Sequence, residues 1–117
     1  MTDKELLELA AKAAGIIGEW VQDKNFIQER WYFNVPYDHH NMLTGFEWNP
    51  LTDDGDALRL AVKLKMSMVL DSCGFKGKTT WVRAPQTEKT EYHESDPYAA
   101  TRRAIVRAAA EIGKEMK

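Results

Sequence analysis

The sequence predicts an α+β fold, a single-domain sandwich over residues 1–117 in which a small, mostly antiparallel sheet is packed by about three helices. Three observations carry this expectation. Three segments repeat apolar residues at three- and four-residue spacing, and the stretches between them are rich in aromatic and β-branched residues punctuated by turn formers. With 117 residues, 44% hydrophobic and 29% charged, the chain can bury one core but not two. No repeat, low-complexity tract or linker divides it.

The first helix is announced by Thr2 and Glu5, which have the spacing of a capping box. Leu6, Leu9, Ala10, Ala13 and Ile17 follow as one stripe, with Lys4, Glu5, Glu8 and Lys12 mostly off it, and Gly15 or Gly18 is the expected stop. From Glu19 to Trp48 the helical period is lost. Two or three short strands are expected there, broken near Asp23–Asn25, Asn34–Pro36, Asp38–Asn41 and Thr44–Gly45.

Pro50 closes that region, and a second helix should follow, capped by Thr52, Asp53 and Asp54. Its apolar face is expected to comprise Ala57, Leu58, Leu60, Ala61, Leu64 and Met68, with a switch to strand near Met68. Gly74 and Gly77 bracket a turn, Thr79–Arg83 reads as a strand, and Pro85 interrupts it. Between Gln86 and Glu94, Thr87, Lys89, Glu91 and His93 alternate with Glu88, Thr90 and Tyr92. So polar a pattern suits an edge strand. Asp96-Pro97 pairs an N-cap carboxylate with a proline at the first helical position, and the helix should run to about Glu115. Ala100, Thr101, Ala104, Ile105, Ala108 and Ile112 are expected inward, and Arg102, Arg103, Arg107 and Lys114 largely outward.

The segment Trp48-Asn49-Pro50-Leu51-Thr52-Asp53-Asp54-Gly55-Asp56-Ala57-Leu58-Arg59-Leu60-Ala61 resembles the signature of the phage ABA-sandwich domain family, small proteins of bacteriophages and prophages. The run from Ala100 to Ala109, with Gly113, is similar to the end of the same family. The resemblance implies a central sheet between helical layers and brings no catalytic residues with it. It also implies a phage or prophage origin, and by analogy a part in countering host defence.

Charge and composition narrow the function classes. Sixteen basic and eighteen acidic side chains leave a formal charge of -2, which disfavours nucleic acid as a partner. A single cysteine, Cys73, forms no intrachain disulfide and suits a reducing cytosol, here that of a bacterial host. No apolar stretch has the length of a signal core or a membrane span.

Several short motifs invite chemistry. Asp38-His39-His40, completed by His93, is a candidate metal site, although neighbours in an extended segment point to opposite faces and two of the three at most share an ion. A metal-dependent hydrolase built on these residues is the alternative to a binding protein. Asp53-Asp54-Gly55-Asp56 lacks the ligand spacing of a calcium loop and reads as helix capping. Ser72–Thr79 lacks the first glycine of a phosphate-binding loop, and no nucleophile elbow occurs. No cofactor is expected.

Arg102, Arg103 and Arg107 are candidates for contact with an acidic or phosphate-bearing partner. Four tryptophans and four tyrosines are many for one small core, so Trp31, Tyr32 and Tyr37 are candidates for a ligand pocket or an oligomer interface. The resulting expectation is a non-catalytic phage accessory protein that binds a host protein or a small-molecule ligand, with a structural homo-oligomer as a further alternative.

Overall fold

A computed structural model describes residues 1–23, 30–35, 46–74 and 77–116. Helix α1 spans Asp3–Ala14, and its first turn is tied as the sequence suggested. The Glu5 amide donates to Thr2 Oγ1 at 3.2 Å, and the Thr2 hydroxyl donates to the Glu5 carboxylate at 3.2 Å. Gly15, at φ 71°, ends the helix in the left-handed region, where the Ile16 amide reaches back to the Ala11 carbonyl at 2.9 Å. Strands β1 (Glu19–Asp23), β2 (Arg30–Val35) and β3 (Phe46–Trp48) then form an antiparallel sheet in chain order. Asn34, expected at a break, lies inside β2 and pairs with both Glu19 and Glu47.

Helix α2 spans Asp54–Lys63, with Asp53 as N-cap accepting from the Asp56 amide at 2.8 Å. It stops short of Met68. Lys65 adopts φ 56°, and the Met66 amide closes on the Ala61 carbonyl at 2.9 Å, so the chain reverses there and Met68 belongs to a strand. Strands β4 (Ser67–Gly74), β5 (Gly77–Ala84) and β6 (Thr87–Tyr92) make a second antiparallel sheet, again in chain order. The sandwich therefore holds two three-stranded sheets among the described residues, where one shared sheet was expected. Helix α3 (Pro97–Glu115) begins on Asp96, whose carboxylate accepts from the amides of Tyr98 and Ala99 at 3.0 and 3.1 Å.

The fold is organised around α3, which touches α1, α2, β5 and β6. A helix enclosed on several sides needs small residues on several faces. Ala100, Ala104, Val106, Ala108, Ala109, Ala110 and Gly113 are all buried. At Gly113 the approach is closest, because a Cβ there would sit 2.0 Å from the Leu9 carbonyl oxygen of α1. The first sheet joins this core through Trp20, Phe33 and Trp48, packed edge to face with ring centroids 5.4 and 5.7 Å apart. Trp20 keeps its indole nitrogen satisfied on Glu8 at 2.6 Å. Among the described residues no helix is long and apolar enough to cross a membrane.

Candidate binding recess beside His93

The recess is built from the junction of β5, β6 and α3. At the end of β6 the His93 amide donates to the Lys78 carbonyl of β5 at 2.9 Å, and the His93 carbonyl accepts from the Asp96 amide at 3.0 Å. Between them Glu94 takes φ 51°, a left-handed conformation uncommon for a residue with a side chain. Strand end and helix start are thus pinned together by backbone bonds, and His93 sits at the hinge of the two.

Its ring is held as well. Thr80 Oγ1, on a fully buried residue of β5, lies 2.8 Å from His93 Nε2 and 2.7 Å from Thr101 Oγ1 on α3. Strand, strand end and helix therefore share one short chain of polar atoms, which satisfies a hydroxyl that burial would otherwise penalise. The rest of β6 docks on α3 in the same polar manner. Lys89 pairs with Glu111 at 3.8 Å and Glu91 with Arg107, so the alternate residues Lys89, Glu91 and His93 form the helix-facing side of the strand.

Around the histidine lies a recess of about 670 Å³, walled by Gly77, Lys78, Tyr92, His93, Glu94 and Pro97. A second hollow of about 390 Å³ shares His93 and Glu94 and continues to Ser95, Asp96 and Arg103. These volumes are in the range that takes a small organic ligand. Lys78 Nζ stands 3.7 Å from Asp71 and 3.6 Å from Cys73 Sγ. The Asp71 charge foremost, and Cys73 after it, hold the ammonium above its ordinary value, so it stays cationic across the physiological range. The residues that line the recess thus include a lysine, an oriented histidine, a tyrosine and a glutamate. Thr80, the hydroxyl bonded to that imidazole, is fully buried, so this pair presents no exposed nucleophile to a substrate.

Of the candidate metal and partner-binding residues, His93 lines this recess and Arg103 the second hollow, and the Ser72–Thr79 stretch contributes Gly77 and Lys78. As a metal ligand His93 has its Nε2 engaged by Thr80, and among the described residues no group of three histidine, cysteine, aspartate or glutamate side chains is placed to hold an ion. Asp38, His39, His40 and Tyr37 lie outside the described residues. Trp31 and Tyr32 fall on β2, where they pair with Gln22 and Val21 and not with the elements of the recess.

The arginines of α3, expected to face outward, instead tie the helix to three different elements. Arg102, whose side chain is 16% exposed, donates to the Leu51 carbonyl at 2.8 Å and to Asp54 at 2.6 Å. Arg103 meets Asp3 at 3.1 Å, and Arg107 meets Glu91. The physical reason is that α3 has neighbours on several sides, each presenting a carboxylate. The motif around Asp53 is likewise structural. Asp56, only 6% exposed, accepts from the Asn49 amide at 3.0 Å and from Arg59 at 2.7 Å, while the Asn49 side chain accepts from the Leu51 amide at 3.0 Å.

What the sequence did not reveal is the partnership of His93 with Thr80 and Thr101. The one usable signal was the alternation that put His93 on the same side of its strand as Glu91. Equally unforeseen is an apolar groove of about 410 Å³ between α2, β4 and the start of α3, whose floor and walls include Leu58, Met68, Leu70, Tyr98 and Ile105. Leu58, expected to face the core, is 57% exposed, as are Leu70 at 54% and Tyr98 at 70%. The reason is that α3 lies over β5 and β6 and leaves the face of β4 open. Comparison with family models, curated proteins and solved structures returns no match for this chain.

Proposed function

We propose that the protein is a phage or prophage accessory protein that acts by binding, and that the recess beside His93 takes a small polar ligand derived from the host. The phage origin rests on the resemblance of Trp48–Ala61 and Ala100–Ala109 to the ABA-sandwich family, and a part in countering host defence follows from it by analogy. The binding reading rests on one observation above all. His93 is oriented by the buried Thr80 hydroxyl, itself bonded to Thr101, and lines a hollow of about 670 Å³ whose wall also includes Lys78. Orientation fixed before the ligand arrives lowers the entropy lost on binding. A carrier or sequestering role needs nothing more, whereas catalysis would need an exposed activated group at this point.

The test is retention of a ligand. The protein is purified natively from a bacterial host, denatured, and the released small molecules are read by mass spectrometry beside those from His93→Ala and Lys78→Ala. One compound should accompany the wild-type chain near stoichiometry and fall at least about tenfold in both variants, a change of about 1.4 kcal/mol in binding. Equal recovery from all three proteins, or no specific compound from the wild type, ends this reading.

A further inference from the structure

The second sheet has two edges of different character. β6 carries Glu88, Lys89 and Glu91, the charged kind of edge that discourages pairing with other chains. β4 is the other edge, since among the described residues it pairs with β5 alone. It is eight residues long, contains no proline or lysine, and exposes Val69 and Leu70, while its pairing with β5 slips between Val69 and Ser72 and Asp71 adds one exposed charge. Beside it lies the groove bearing Leu58, Leu70 and Tyr98, and Val62 continues the apolar face of α2 one turn on from Leu58 at 69% exposure. An edge with a single acidic residue, next to a cluster of exposed apolar side chains, invites a further strand.

We infer that two copies of this chain associate through their β4 edges, forming one continuous six-stranded sheet about a two-fold axis. The geometry favours a second copy. Antiparallel pairing of a strand with its own copy requires a two-fold axis perpendicular to the sheet, and such an axis keeps the helices of both copies on one side. The two grooves then meet over the seam, and Leu58, Leu70 and Tyr98 of each copy find the same apolar residues opposite. A single operation covers both the open backbone edge and the exposed side chains, with no component that the molecule lacks.

The area is adequate. Eight residues of strand extend about 27 Å, and a sheet layer plus a helix layer is about 20 Å deep, giving ~540 Å² per copy and ~1,100 Å² in all. That is just above the roughly 1,000 Å² below which specific interfaces are rare, the size class of weak, transient assemblies. The seam lies on β4, α2 and Tyr98, and the His93 recess opens between β5, β6 and the first residue of α3, so the two sites adjoin at Pro97 while His93 itself lies outside the seam.

Sedimentation and light scattering from about 1 µM to about 1 mM test the assembly. The wild-type chain should pass from monomer to dimer over that range, and the double variant Leu70→Lys with Tyr98→Glu should remain monomeric at concentrations at least about tenfold higher. Both residues are exposed, so far-UV circular dichroism should be unchanged. Hydrogen exchange on the wild-type chain provides a readout that does not depend on any variant, because amides of Ser67–Gly74 should become more protected as concentration rises. A wild-type monomer at about 1 mM, a dimer indifferent to the double variant, or concentration-independent exchange along β4 each overturns the inference. A heterologous strand binding there in preference to the second copy overturns it too. The ligand assay on His93→Ala reads the other site and is decided independently.

Discussion

At the scale of single residues, a few positions are fixed by geometry that admits little substitution. Gly113 is one, because α1 and α3 approach so closely that a methyl group there would meet the Leu9 carbonyl at 2.0 Å. Gly113→Ala should therefore lower stability by about 3 kcal/mol as the helices are forced apart, a loss that urea unfolding would measure. Lys65 is the reverse case. It closes α2 in a left-handed conformation at φ 56° that costs a residue with a side chain about 1 kcal/mol. Lys65→Gly should raise the unfolding midpoint by a comparable amount, and an unchanged or lower midpoint would show that its side chain offsets the strain. Asp56 is buried with two donors, so Asp56→Ala should cost about 2 kcal/mol by leaving the Asn49 amide and Arg59 without their acceptor.

Between elements, the interface of α3 with β6 is held by polar pairs, and its strength should depend on their completeness. Thr80→Val keeps the shape of the side chain but removes the oxygen shared by His93 and Thr101, and should cost about 1–2 kcal/mol. The same change should loosen the His93 ring, visible as increased side-chain mobility in the imidazole NMR signals. Arg102 binds α3 to the start of α2 through a backbone carbonyl and a carboxylate, and Arg102→Met should destabilise by about 2 kcal/mol while leaving the apolar contacts of its stem in place. These pairs also explain what was legible at this scale. Caps depend on residues close in sequence, so Thr2 with Glu5, Asp53 before α2 and Asp96 with Pro97 were readable beforehand. The far ends of Arg102, Arg103 and Arg107 depend on which elements lie beside α3, and local spacing carries no record of that.

For the molecule as a whole, one apolar cluster joins α1, both sheets, α2 and α3 through residues such as Leu7, Phe33, Leu60, Val82 and Val106. Unfolding should accordingly be a single transition, with near-ultraviolet signal from the Trp20, Phe33 and Trp48 cluster lost together with far-ultraviolet helix signal. Separate midpoints would mean that the first sheet leaves before the helices. The sequence alone determined the three helices, their caps, the strand-rich intervals and the α+β class, because hydrophobic period and turn chemistry act over a few residues. Tertiary structure alone decided that the strands divide into two sheets, that Leu58 and Tyr98 face out, that the arginines turn to neighbouring elements, and that His93 meets Thr80 and Thr101. Those outcomes arise from which surfaces compete to cover α3, a competition among residues far apart in the chain.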